Sequence, residues 1–309
     1  MLQRDAFIRQ ISERLGESEN VFFLSADFGA AALDALREEH PSRFIHCGIS
    51  EQAMVDIATG LALEGNVVFA YAMAPFLSLR ALEQIKCGPG IMNLPVALIS
   101  VGVGLGYADS GPTHYATEDF ACLRSIVGCS VYTVSDESVA KSVANHILDQ
   151  PHFSYIRLDR NELPILGIDP NIALGFRLFG NSDPSVRRVA LVSHGKMVHS
   201  CVNVAKRHPD KFFAVDLIRA KPFPVDLLSV LRRSARAVVT VDEQTPYGSI
   251  GSTLLEFMAS EDCLMPLERL TLPEEYVFQN GGREFLLSKF GLDEKSIESR
   301  ALEIYGRLT

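Results

Sequence analysis

No run of apolar residues in this sequence approaches the roughly 18 needed to span a bilayer as a helix. The N-terminal stretch MLQRDAFIRQISERLGESEN carries charges throughout and has no apolar centre. Neither a membrane span nor a secretory signal is therefore expected. The six cysteines, Cys47, Cys87, Cys122, Cys129, Cys201 and Cys263, form no C-x-x-C pair. Isolated cysteines in mostly apolar surroundings read as buried free thiols of a cytoplasmic protein, not as disulfides or a zinc site. Positive charge is scarce as well: 29 Lys+Arg against 38 Asp+Glu leave a net charge of -9. Nucleic acid and anionic membrane both demand a basic face, so neither is an expected partner. A small local basic site for an anionic substrate remains compatible with this balance. No internal repeat is present.

What is there is an ordinary globular composition, with 47% hydrophobic and 22% charged residues over 309 positions. That length predicts about two domains with a large core. Apolar, β-rich runs over 21–26, 44–47, 67–71, 96–101, 130–134 and 154–158 alternate with helical patterns, among them 51–63 and 77–86. Continuous apolar strands alternating with helices predict an α/β fold, a mostly parallel sheet covered on both faces. The Pro- and Gly-rich stretch 166–187 reads as a linker between a first domain, 1–165, and a second, smaller α/β domain, 188–309.

Chemistry concentrates in two places. In the first, Ile45-His46-Cys47-Gly48-Ile49-Ser50-Glu51-Gln52-Ala53-Met54, a strand ends at Gly48 and Ser50 is placed to cap the next helix. Ala53, Met54, Ile57, Ala58 and Leu61 recur at helical spacing and predict the inward face. Glu51 then stands in a first helical turn at the carboxyl end of a strand, where open α/β sheets bind ligands. A surface acid complementing the helix dipole would look the same locally. The second place, Gly104-Leu105-Gly106-Tyr107-Ala108-Asp109-Ser110-Gly111-Pro112-Thr113-His114, follows another strand. Its glycines allow backbone to approach a ligand closely, and His114 has a side chain suited to acid, base or hydrogen-bond work near neutral pH. A dinucleotide loop would be followed at once by a helix, which the pattern lacks. A structural loop histidine is the competing role.

Taken in order, Ser25-Ala26-Asp27, Gly48-Ile49-Ser50-Glu51-Gln52, Gly111-Pro112-Thr113-His114 and Asp159-Arg160-Asn161 resemble the pyrimidine-binding domain of transketolases. Farther on, Thr240-Val241-Asp242-Glu243-Gln244, Gly248-Ser249-Ile250-Gly251-Ser252 and Leu272-Pro273 resemble the second domain of 1-deoxy-D-xylulose 5-phosphate synthase as well. The resemblance covers nearly the whole chain. It implies thiamine diphosphate (ThDP) as cofactor, with Glu51 bonding N1′ of the aminopyrimidine and Ile49 and Phe76 beside the ring. It implies a catalytic His114 facing the substrate, Asp27 and Asp109 as further substrate contacts, and Arg160 as the anchor of a sugar phosphate. Core packing is an equal role for Phe76, and an ion pair with Asp159 or Glu162 is an equal role for Arg160.

Departures from the family pattern are also visible. Leu79 and Leu82 stand where transketolases carry further aromatics. Gly102 falls near the position of a second phosphate-binding basic residue. The Gly-Asp-Gly motif, which in the family holds Mg²⁺ and the cofactor's diphosphate, does not occur in the sequence. The expectation is an N-terminal-type partner subunit that supplies the diphosphate and Mg²⁺ site, in an α2β2 heterotetramer. The activity implied is transfer of a two-carbon ketol unit between sugars. A synthase-like carboligation of pyruvate, a 2-oxoacid dehydrogenase β subunit and a catalytically silent regulatory subunit are the alternatives. Gly-Pro-Thr-His and Ser-Ala-Asp favour the first over the dehydrogenase, and the presence of Glu51 and His114 argues against silence.

Overall fold

The computed structural model describes residues 1–26 and 29–308. The β-rich runs form β1 (Val21–Ala26), β2 (Phe44–Gly48), β3 (Val67–Met73), β4 (Val96–Val101), β5 (Ser130–Thr133) and β6 (Ser154–Leu158). Six more strands follow: β7 (Phe176–Phe179), β8 (Arg188–Ser193), β9 (Phe212–Leu217), β10 (Arg219–Lys221), β11 (Ala235–Val241) and β12 (Leu267–Leu270). The first sheet runs β10-β5-β6-β4-β3-β1-β2 and is parallel except at β10. The second runs β12-β11-β8-β9-β7 and is parallel except at β7. Two mostly parallel sheets flanked by helices are what the alternating pattern predicts.

Side-chain alternation along β3 shows why both faces of the first sheet are covered. Phe69 and Tyr71 enter a core with Phe7, Ile8 and Ile11 of the helix Gln3–Leu15. Val68, Ala70 and Ala72 enter the opposite core, with Met54, Val55 and Ala58 of the helix Glu51–Leu63. Each large apolar side chain so buried contributes about 1.5–3 kcal/mol.

Register aligns the carboxyl ends of the strands. Ala26 lies opposite Gly48, and Val101 lies opposite both Met73 and Leu158. The segments leaving these ends, toward Glu51, Phe76, His114 and Arg160, therefore emerge along one edge. Such carboxyl edges are the ligand-binding side of open α/β sheets.

The two sheets are stitched together. Phe176–Phe179, inside the stretch that reads as a linker, is an edge strand of the second sheet, and Arg219–Lys221 crosses over to pair with β5 of the first. Three buried arginines tie the halves, Arg177 and Arg283 by charge and Arg157 by a hydrogen bond to a neutral histidine. Arg157 forks onto Asp119 at 2.7 and 3.0 Å and reaches Nδ1 of His194 at 3.0 Å. Arg177 on β7 binds Asp136 and Asp216, both at 2.9 Å. Arg283 donates to both oxygens of Asp159, at 3.0 and 2.8 Å, and to Glu243. Burial and the Arg157 charge push the His194 imidazole well below its usual range, and burial pushes Asp242 up to about 7. Thr240–Gln244 thus belongs to this seam. A Cβ on Gly104 would overlap Glu243, so glycine is required where the first domain's loop meets that segment.

Candidate active site

Glu51 opens the helix Glu51–Leu63 after a turn that Gly48 makes at φ 70°. Only 4% of its surface is exposed. Ser50 stands at the cap position, but its hydroxyl donates to the carbonyl of Cys47 instead of capping the helix. The inward face is Glu51, Met54, Val55, Ala58, Thr59 and Ala62. Ala53 and Ile57, expected inside, face outward. The helix is rotated relative to the simple apolar stripe because the buried set includes the acid and Thr59, whose hydroxyl is satisfied by the Val55 carbonyl at 2.8 Å.

The pattern over 77–86 predicts one helix, and the structure breaks it. Phe76–Arg80 is a π-helical turn, Leu82–Ile85 is α-helical, and Lys86–Gly90 is again π-helical. Such wide turns recur at functional sites. Ser78 donates to the Ala74 carbonyl at 2.7 Å within the first. Pro89, with no N–H, lies in the second. A Cβ on Gly88 would overlap Thr59, so this segment rests directly on the Glu51 helix.

The first wide turn brings a residue to Glu51 that the sequence did not reveal. Nη1 of Arg80 donates to Oε2 of Glu51 at 2.5 Å. The same guanidinium lies over the Phe76 ring, 4.3 Å from its centroid. Phe76 meets the imidazole of His114 edge-on, with centroids 5.2 Å apart. His114 in turn stands 6.5 Å from the ring of Tyr107, and Arg160 lies over the Tyr107 ring at 4.7 Å. Glu51, Arg80, Phe76, His114, Tyr107 and Arg160 thus form a continuous row of contacts along the sheet edge.

Within the row, Nδ1 of His114 lies 2.9 Å from the Thr113 hydroxyl. When that hydroxyl donates, Nε2 carries the ring's proton and is a hydrogen-bond donor. The Tyr107 ring packs against Gly102, at φ 82°, where a Cβ would overlap it. Burial pushes the Tyr107 phenol up to about 12, against the opposing pull of the Arg160 charge.

Two further candidates, Ile49 and Asp109, fall outside the row. Ile49 is 77% exposed beside the Glu51 turn. Asp109 is exposed on the loop and makes no hydrogen bond with a described side chain. Asp27 lies outside the described residues. The ion-pair role considered for Arg160 is taken up elsewhere: Asp159 is held by Arg283 and Glu162 by the N-terminal amine. Among the described residues, no group of three or more His, Cys, Asp or Glu is arranged to hold a metal ion, and no helix is long and apolar enough to cross a membrane.

A buried carboxylate, an aromatic face and a histidine lie side by side on the carboxyl edge of a parallel sheet. Residues 1–165 match the transketolase pyrimidine-binding domain, and residues 181–297 match the transketolase C-terminal domain. The chain belongs to the transketolase family, whose members are ThDP-dependent transferases.

Among its relatives is one of the subunits of the apulose-4-phosphate transketolase of Phocaeicola vulgatus, 25% identical over 308 residues that cover 97% of this chain and 96% of that one. The 1-deoxy-D-xylulose-5-phosphate synthase of Pseudomonas aeruginosa is 31% identical over 268 residues, covering 86% of this chain but 42% of the synthase. A solved split-gene transketolase, described as an inactive β4 tetramer, shares the fold with a TM-score of 0.88 at 24% identity, each chain covered in full.

Proposed function

We propose that this chain is the pyrimidine-binding and C-terminal subunit of a split, ThDP-dependent transketolase that works in the cytoplasm. It would move a two-carbon ketol unit between sugar substrates. The observation that carries this reading is the row Glu51–Phe76–His114, a buried acid beside an aromatic face and a ring donor. These residues fit the aminopyrimidine half of the cofactor. Glu51 would hold a proton at N1′ in a largely dry setting, and Phe76 would give the ring an apolar face. His114 would donate to a substrate oxygen as negative charge develops there. Arg160, at the exposed end of the row, would take the anionic end of the sugar. ThDP, when bound, supplies the nucleophilic carbon chemistry that side chains lack.

The Mg²⁺ and diphosphate half is assigned to a partner subunit, in an α2β2 assembly. The likeness, over almost the whole of both chains, to a protein named as one subunit of a transketolase supports this. Exposed apolar side chains near Glu51, including Ile49, Ile57 and Leu79, suit a covering surface.

Calorimetry is the direct test. The chain alone should bind ThDP with Mg²⁺ weakly or not at all. Adding a partner that carries Gly-Asp-Gly and a downstream Asn should produce tight binding. Tight, Mg²⁺-dependent binding by this chain alone would overturn the split-enzyme reading. Substrate anchoring is tested by Arg160→Ala in the complex. A remote phosphate contributes mostly uniform binding, so KM for a phosphorylated sugar should rise by more than kcat falls. Unchanged kinetics would leave Arg160 an exposed residue stacked on Tyr107 with no part in substrate binding.

A further inference from the structure

Arg80 has no part in the reading above, yet it sits on both surfaces that reading assigns to the cofactor ring. Its guanidinium takes Oε2 of Glu51 at 2.5 Å and lies 4.3 Å from the Phe76 centroid. That second spacing is the distance at which one flat group stacks on another, so an aromatic ring cannot share the same face. Resting on the assignment of Glu51 and Phe76 to the aminopyrimidine, we propose that Arg80 is a displaceable plug. It holds the pyrimidine site closed until the ring takes its place, and then moves into water.

The geometry favours a plug over a permanent support. The Arg80 side chain is 42% exposed, against 5% for that of Glu51, so the cation has a route to solvent and the carboxylate does not. Glu51 is the hydrogen-bond partner of Arg80 among the described residues, and no second carboxylate there holds the guanidinium in place. Arg80 stands four residues after Phe76, at the end of the π-helical turn, and from there its side chain reaches both surfaces. Before the ring arrives, the plug also neutralises a carboxylate that is costly to leave buried and unpaired. Exchange then swaps one partner of Glu51 for another, so the acid is never left alone.

A support and a plug predict opposite signs. Removing a support weakens binding of the ring, whereas removing a plug tightens it. The probe is 4-amino-5-hydroxymethyl-2-methylpyrimidine, the aminopyrimidine half of the cofactor, which needs no diphosphate site. It is titrated by NMR into the full-length wild type, Arg80→Met, Arg80→Lys and Glu51→Gln, each checked for folding by thermal unfolding. If the methionine variant does not fold, Arg80→Gln replaces it. Arg80→Met should bind the fragment about fivefold more tightly, the scale of one solvent-accessible ion pair. Arg80→Lys should stay nearer the wild type, since an ammonium still pairs with Glu51 but covers the ring less well.

Equal or weaker binding by Arg80→Met, including no binding by either protein, overturns the plug. The Glu51→Gln variant separates the two layers of inference. If it leaves fragment binding unchanged, the assignment of Glu51 to the ring is itself wrong. If it weakens binding while Arg80→Met fails to tighten it, only the plug is wrong.

Discussion

Replacing Glu51 with glutamine is expected to slow hydrogen–deuterium exchange at C2 of bound ThDP by at least about a hundredfold in the reconstituted complex, with turnover falling alongside. General acid–base terms of this kind contribute typically ~10²–10⁴-fold. Glutamine keeps the size and can still touch N1′, but it cannot share a carboxylic proton with the ring. Glu51 lies on the buried face of its helix, and the fold should survive because the substitution preserves the packing there. The amide oxygen still accepts from Arg80, and no buried charge is left without a partner. Exchange at the wild-type rate would reduce Glu51 to a first-turn acid serving the helix dipole.

The largest effect on stability is expected at Arg283. Its guanidinium satisfies two carboxylates at once, Asp159 from the first domain and Glu243 from the second, and all three side chains are almost fully buried. Arg283→Met keeps much of the apolar stem but leaves two like charges facing each other out of water. Breaking a buried ion pair by removing one partner costs about 3–5 kcal/mol. Denaturant unfolding at neutral pH should show a loss of that size. A change within about 0.5 kcal/mol, the range of ordinary surface substitutions, would mean that water enters the seam and solvates both acids. Because Asp159 adjoins Arg160, a loss of substrate affinity without a loss of stability would point instead to a role in the site.

The parts of this molecule that show in the sequence are those set by short-range rules. Continuous apolar runs mark β1, β3, β4 and β8, because strands covered on both faces have no polar side to show. Glu51 is legible because a strand, a glycine turn and an amphipathic helix fix its place at a sheet edge. Residues placed by long-range geometry are not legible. Arg80 lies in a segment whose periodicity is helical, where an arginine looks like part of a solvated face. Nothing local announces that the turn widens or that this side chain meets Glu51. Arg283 begins a helix next to Glu284, and its two partners lie 124 and 40 residues away in sequence. β7 and β10 have four and three residues and sit among Gly and Pro, too short for alternation to register. The assignment of Ala53 and Ile57 to the interior failed for a related reason: an apolar residue at helical spacing does not say what lies opposite it.

The packing of Tyr107 onto Gly102 limits what position 102 can carry. A basic residue does not fit at position 102 while Tyr107 is in place. Its side chain would meet the Tyr107 ring, and its backbone would have to hold φ at 82°, a conformation that side-chain-bearing residues rarely adopt. Removing Tyr107 first would take away the surface on which Arg160 now lies. Position 102 and Arg160 are thus coupled through one ring, and neither neighbourhood can be rebuilt without disturbing the other.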